Sequence, residues 1–402
     1  MDLSFGSEYD SFRDEVKTFL KNNQDKAPKG SARIQDAEAA QQLLDWQKLL
    51  IENGYTCRTI PKEYGGYGAE PNIIQSRIIA EEFALAKVSQ GLGGQGISML
   101  TPTLLEMGTE EQRKEFIRPT IHGEISWCQG YSEPGAGSDL ASLRTKAEKI
   151  GDHYVVNGHK IWTTLAQFAD WMFCLVRTNS DGKPQEGISF LLIDMKSEGI
   201  EVKPIITMDG GHEVNEVFLE DVKVPVENLV GEENMGWTIA KYLLGNERTG
   251  IAGVARSKKA IERLKEIAGS EYIDGKNLIN DSDFVRKISE LEVDLTALEY
   301  TELRTLAKES KGEGAGAESS ILKIKGTEIQ QRITELTVEA IGHYSNPYLV
   351  PAFERQGSNY LTIGPDYSHG AAQNYFSTRK TSIYGGSNEI QKNIIAKMVL
   401  GL

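Results

Sequence analysis

The chain has 402 residues, more than one hydrophobic core usually serves, so two or three packed regions are expected. Hydrophobic content of 39% and charged content of 25% place it among ordinary globular proteins rather than disordered, fibrous or membrane-embedded ones. A formal net charge of −14 argues against a nucleic-acid partner, since phosphate binding needs clustered Lys and Arg; the expected surface is acidic and solvated.

Cys57, Cys128 and Cys174 stand far apart with no CxxC spacing, which predicts neither a disulfide framework nor a metal site and fits a reducing compartment. The opening residues, MDLSFGSEYDSFRDEV, lack a basic n-region and an apolar h-region, so no signal peptide is expected. No run approaches the ~20 apolar residues that a membrane span requires. A cytoplasmic location is expected.

Residues 1–123 read as an all-α domain. In residues 36–53, Ala40, Leu43, Leu44, Trp46 and Leu50 recur near a 3.6 period and Gly54 closes the segment. Residues 72–88 repeat the pattern with Ile73, Ile74, Ile78, Ile79 and Phe83. Thr109 before two acids predicts another helix start over 109–116. The stretch PKEYGGYGAEP at 61–71 predicts loop.

Residues 124–233 read as a β-domain. Short β-rich runs at 154–156, 171–176, 188–193, 202–205 and 217–219 are separated by turn signals at Asn157–Gly158, Asp181–Gly182 and 209–211. They follow one another too closely for crossover helices, so an antiparallel sheet or barrel is predicted rather than a dinucleotide-binding α/β unit. Residues 234–402 return to helical periodicity, with long helices predicted over 236–268, 283–310, 317–341 and 388–399 as a four-helix bundle. The fold class is therefore α+β: helices, a small β-domain, then a bundle.

Three segments carry the candidate chemistry. QGYSEPGAGSD (129–139) places two glycines among hydroxyl residues, in neither P-loop nor GxGxxG spacing; it predicts either a tight turn or a phosphate or flavin contact. Thirty residues later, KIWTTLAQFADW could set Trp162 over a planar ring or in the core. Glu247 shares a helical face with Leu243, Leu244, Ile251 and Val254, where desolvation would raise its pKa toward that of a general base; the alternative is a solvated helix edge. RKTSIYGGSNEIQ (379–391) predicts a close-approach glycine pair before a capped helix whose N-terminus attracts anions, or an ordinary loop with a cap.

Taken together, YSEPGAGSDLAS (131–142), LEDVKVPVENLVGEENMGW (219–237) and IYGGSNEIQKNIIAK (383–397) resemble the acyl-CoA dehydrogenase family over nearly the whole chain. The resemblance implies FAD as cofactor, an acyl-CoA substrate, and an electron-transferring flavoprotein as acceptor. It implies that Gln129, Tyr131, Ser132, Gly137 and Ser138 lie along the cofactor, with Ser132 on the flavin ring and Ser138 where CoA passes. Trp162, Thr163 and Thr164 match the stretch covering another flavin edge, and Gly386, Ser387 and Glu389 match a segment that touches FAD, partly across a subunit interface. Most members carry the catalytic Glu after the Tyr of the C-terminal motif; here Tyr384 is followed by Gly385, whose backbone N–H still matches the family's donor to the thioester oxygen. A minority, isovaleryl-CoA dehydrogenase among them, place the base on the first bundle helix before an Arg, and Glu247–Arg248 match that arrangement, with Arg248, Tyr384 and Gly385 beside the substrate.

Three segments depart from the family pattern. Residues 281–292 and 338–345 replace the stretches that hold the partner's FAD, with Glu339 where Gln is common, and TTLAQFADW replaces a Thr-Asn-Gly turn. The pattern is more like pimeloyl-type or sterol-side-chain members. A homodimer or homotetramer is expected, or a heterotetramer with a similar chain. The rival readings are a non-catalytic or half-active subunit, an acyl-CoA oxidase and a flavin monooxygenase.

Overall fold

The structure is a computed structural model describing residues 7–28, 37–309, 316–348 and 363–402, with the side chains of residues 7–8, 37, 246–251 and 309 outside the description. The N-terminal region is helical: α1 (Ser7–Asn23), α2 (Ala37–Glu52), α3 (Ile73–Leu85), α4 (Thr101–Met107), α5 (Glu110–Gln112) and α6 (Arg118–Ile121). Local signals set the ends. Gly54, at φ 71°, stops α2, the Asn72 side chain accepts from Gln75 N, and Thr109 and Gln112 form a reciprocal capping box. Val16, Phe19, Trp46, Leu50, Ile78 and Phe83 bury the apolar stripes of α1–α3 against one another. Side-chain bonds tie this region to the middle one, among them Trp127 Nε1 donating to Thr120 Oγ1 at 2.8 Å and Gln112 Nε2 to Leu229 O at 2.9 Å.

The middle region is a seven-stranded sheet of β1 (Trp127–Gly130), β2 (Lys146–Ile150), β3 (His153–Thr164), β4 (Trp171–Arg177), β5 (Ile188–Asp194), β6 (Ile200–Ile205) and β7 (Val214–Pro225). Its order is β1-β4-β2-β3-β7-β6, with β5 also on β4. The expected antiparallel sheet holds for β2–β3 and β4–β5, but β1 runs parallel to β4, with Gln129 opposite Phe173 and Gly130 opposite Cys174. β4 and β5 are buried along almost their whole length, so both read as continuous apolar runs. Asn157–Gly158, expected as a turn, lies inside β3. Asn157 exchanges two 2.9 Å bonds with Asp221, and a Cβ at Gly158 would sit 2.3 Å from Thr145 Oγ1, so packing rather than turning requires this glycine. The chain reverses instead at Gly151, at φ 64°.

The C-terminal region contains α7 (Gly236–Ile251), α8 (Val254–Ser270), a two-residue hairpin β8–β9 (Tyr272–Ile273, Lys276–Asn277), α9 (Ser282–Glu309), α10 (Glu318–Ile341), α11 (Ala371–Thr378) and α12 (Asn388–Ile395). The helix expected to run unbroken over 236–268 is two. Gly253 takes φ 60°, and α10 crowds the break: a Cβ at Gly326 would lie 2.6 Å from Ala252 O, while Gln330 Nε2 donates to that oxygen at 3.4 Å. Leu264, Phe284, Leu291, Leu298, Leu322 and Leu336 are among the core residues of this region.

By packing, the chain divides into one unit of residues 1–202 with 216–243 and another of 203–215 with 244–402. The loop after β6 thus belongs with the bundle. Lys380 pairs with Glu213, Tyr348 OH donates to Met208 O at 2.8 Å, and Thr207 Oγ1 bonds the Asp209 carboxylate.

Candidate active site

In the first unit, the candidate site grows out of β1. Gln129 lies next to the end of the strand, and its Oε1 accepts from Gln95 Nε2 at 3.3 Å. Tyr131 is buried edge-on to Phe173 and Phe190, at 6.0 and 6.4 Å between ring centroids. Ser132 O accepts from Ile161 N at 2.9 Å, which brings the end of β3 across the segment. Glu133 and Ala136 then exchange backbone bonds at 3.0 Å, forming a tight reversal that leaves Gly137 and Ser138 exposed.

The two glycines of that reversal decide between the turn and the ligand. Neither Gly135 nor Gly137 has a positive φ, and a Cβ built on either meets no protein atom within 4 Å. Neither backbone conformation nor packing needs glycine there, so what the missing side chains leave open is room for a ligand to approach the backbone. The open backbone at Gly135 and Gly137, beside the Ser132 and Ser138 hydroxyls, fits a phosphate-bearing group such as FAD or CoA.

The segment is pinned by an ion pair that sequence reasoning missed. Lys160 is fully buried, and its Nζ donates to Glu133 Oε1 at 2.9 Å, Leu175 O at 2.8 Å and Tyr131 O at 3.2 Å. The Glu133 carboxylate also accepts from Arg144 N at 2.6 Å and Thr145 N at 2.8 Å. Burial alone would raise the Glu133 carboxyl, but Lys160 and these donors outweigh it and hold it below the usual carboxylate range. The only local sequence hint was an acid inside the glycine-rich motif.

Trp162 does not join the core: it is 57% exposed, at the left-handed φ of 60°. Thr163 beside it is buried, Thr164 half-buried, and Leu165 is again left-handed at φ 56°. Two such non-glycine residues within four positions cost roughly 1–2 kcal/mol each. An exposed indole on strained backbone, beside the glycine reversal, is a surface suited to covering a planar ring.

In the second unit, Tyr384 is exposed, and Gly385 and Gly386 follow at φ 64° and 81°. Successive left-handed residues form a turn that only glycine adopts without cost. Ser387 caps α12, accepting from Ile390 N at 3.4 Å. The Glu389 carboxyl, held by its own backbone N–H and the Ser387 hydroxyl at that helix start, lies below its ordinary pKa. Inside, Lys323 Nζ donates to Asn388 Oδ1 at 2.9 Å.

Glu247 and Arg248 lie on the backbone of α7, and their side chains fall outside the described residues. Of the apolar neighbours expected on their face, Leu243 is buried and Leu244 half-buried, but Val254 belongs to the next helix, beyond the break at Gly253. Glu339 is held by Lys287 Nζ at 2.5 Å, which also reaches Asp283 at 3.1 Å. Among the described residues, no cluster of His, Cys, Asp and Glu is placed to hold a metal, and no helix is long and apolar enough to cross a membrane.

A helical region, a β half-barrel and a helical bundle, with a glycine reversal after β1 and a glycine turn before the last helix, make up the acyl-CoA dehydrogenase fold. Residues 6–124, 128–222 and 234–400 match the N-terminal, middle and C-terminal domains of acyl-CoA dehydrogenase, in that order. The chain belongs to the acyl-CoA dehydrogenase family. It is 33% identical over 400 residues to acyl-CoA dehydrogenase IpdE1 of Mycobacterium tuberculosis, covering 98% of this chain and 97% of that one. Among solved structures it is similar to the ChsE4–ChsE5 complex of Mycobacterium tuberculosis, with TM-score 0.78, 28% identity and coverage of 100% and 99%. It is similar also to the Tcur3481–Tcur3483 steroid acyl-CoA dehydrogenase, with TM-score 0.78, 25% identity and coverage of 100% and 99%.

Proposed function

We propose that this chain catalyses FAD-dependent α,β-dehydrogenation of an acyl-CoA thioester to the trans-2-enoyl-CoA, on an acyl group attached to a steroid, with electrons leaving to an electron-transferring flavoprotein. The observation that carries the reading is the Gly385–Gly386 turn. Where most of the family holds its carboxylate this chain has no side chain, yet among the described residues the Gly385 N–H meets no acceptor. The base must then come from elsewhere, and Glu247 before Arg248 is our assignment. The steroid acyl group draws on the steroid enzyme among the structural neighbours and on the space left at position 385.

When bound, FAD supplies the acceptor for the β-hydrogen and its electron pair. Glu247 takes the α-proton onto its carboxylate, with Arg248 and Tyr384 beside the substrate. The Gly385 N–H donates to the thioester oxygen as negative charge grows there; one such donor is worth about 10²–10³ in rate. Gln129, Tyr131, Ser132, Gly137 and Ser138 hold the cofactor and CoA, Trp162, Thr163 and Thr164 keep water from the ring, and Gly386, Ser387 and Glu389 complete the contacts. The reading retains domains at 1–123, 124–233 and 234–402.

Anaerobic mixing with a panel of acyl-CoAs tests it. The wild-type flavin should bleach with steroid-bearing thioesters, and Glu247→Gln should retain FAD without bleaching. Wild-type-like bleaching of the variant rejects the base; bleaching by straight-chain substrates alone rejects the steroid.

A second reading, that a similar second chain supplies part of the FAD site, draws on Glu339, an anion where the family commonly has Gln, and on the paired-chain neighbours. It expects the chain purified alone to be FAD-poor; an FAD-replete homo-oligomer rejects it.

A further inference from the structure

Gln391 is fully buried on α12, and its amide bonds three residues. Its Oε1 accepts from Ser320 Oγ of α10 at 2.8 Å, and its Nε2 donates to Gly385 O and Gly386 O, each at 3.3 Å. The orientation of this amide follows from chemistry. Two carbonyl oxygens can only accept, so the NH₂ group must face them, and the Ser320 hydroxyl is left to donate to the oxygen. The fit is close: a Cβ at Gly386 would lie 2.4 Å from Gln391 Nε2.

We propose that Gln391, oriented by Ser320, is a positioning residue that clamps the Gly385–Gly386 turn and keeps the Gly385 N–H presented to the thioester oxygen. The inference rests on the reading of Gly385 as donor to that oxygen. Paired glycines are the most permissive backbone in the chain, and both can leave the left-handed region without steric cost. Holding the two carbonyls from inside fixes the peptide planes on either side of Gly386, and so restrains the Gly385 torsions that join its own N–H to them. A helix-packing role for Gln391 would need its volume only; the clamp needs its donor.

The test compares wild type, Gln391→Met, Gln391→Glu and Ser320→Ala as FAD-loaded proteins. Gln391→Met keeps the volume and loses the donor. Hydrogen exchange of the peptide covering 383–391 should speed up at least about tenfold in it, with β4 peptides unchanged. In rapid mixing, the limiting rate of flavin reduction should fall about 10- to 100-fold, as misplacing a reacting group does, while acyl-CoA affinity shifts less than about threefold. The downshift of the bound thioester C=O stretch should shrink in parallel. Gln391→Glu regains a donor only when protonated, so its rate should recover as pH falls, opposite to the trend of an enzyme losing its base. Ser320→Ala, a milder change should Gln391→Met not fold, should show the same signs at smaller size. Unchanged exchange in both Gln391→Met and Ser320→Ala, or a wild-type reduction rate and C=O shift in Gln391→Met, overturns the clamp. Faster exchange in a protein whose wild type is bleached by no acyl-CoA upholds the clamp and rejects the proposed reaction instead.

Discussion

Replacing Lys160 with Met tests whether one buried ion pair holds the glycine reversal after β1. The substitution keeps much of the side-chain volume and removes an ammonium that makes three hydrogen bonds, to Glu133, Tyr131 O and Leu175 O. Glu133 would remain a buried carboxylate without its countercharge, though still bonded to Arg144 N and Thr145 N. Removing one partner of a buried pair costs about 3–5 kcal/mol. The Tyr131 and Leu175 carbonyls, each losing a charged donor, push toward the upper end, while the surviving N–H bonds to Glu133 offset part. A loss of about 3–5 kcal/mol is expected, a large share of the roughly 5–15 kcal/mol that holds a typical domain together. Denaturant unfolding followed by fluorescence of Trp127, Trp162 and Trp171 would read it, and Glu133→Gln in the same background should restore part of the loss. The sign with pH is fixed. A carboxyl depressed in the folded state contributes stability above its unfolded pKa of about 4.3 and loses it as pH falls through the folded value. The gap between wild type and Lys160→Met should therefore be flat from about pH 8 to 5 and close in stronger acid. A variant within about 0.5 kcal/mol of wild type at neutral pH would refute the reasoning.

Leu165→Gly should not destabilise the cofactor-free protein, and should raise its melting point slightly, because relief of the left-handed strain of about 1–2 kcal/mol exceeds the entropy cost of glycine. Gly158→Ala should cost about 1–3 kcal/mol in denaturant titration, since its methyl would overlap Thr145. Burial pushes the Cys57 and Cys174 thiols up to about 11, and Cys128 higher still. Ellman's reagent at pH 8 should therefore find no fast thiol in the native protein and all three after unfolding.

What the sequence disclosed followed from local physics. Asn72, Thr109 and Ser387 announce helix starts because capping is a matter of three or four neighbouring residues. The elements it hid depend on distant partners. Trp127–Gly130 shows no alternation because both its faces are covered, and the strand it pairs with begins some forty residues later. Lys146–Ile150 is a mostly exposed strand of charged residues, which reads as nothing in particular until β3 pairs with it. The break at Gly253 and the misread Asn157–Gly158 share a cause: each glycine answers to its neighbours in the folded chain. The candidate segments stood out through their glycines: at 135 and 137 no structural duty requires glycine, and at 385 and 386 the left-handed turn does. It was illegible where a side chain such as Lys160 or Gln391 acts from within.

The excursion of residues 203–215 into the bundle unit changes how this protein can be taken apart. Because the chain passes between units at 202/203, 215/216 and 243/244, a single nick ahead of Leu244 divides the second unit, leaving residues 203–215 on the fragment that carries the first. Neither unit is a contiguous stretch that could be cloned alone without losing a part of itself. Truncation at the end of the sheet would strip Glu213 of Lys380 and Met208 O of the Tyr348 hydroxyl, so fragments cut at that seam should be poorer folders than their length suggests.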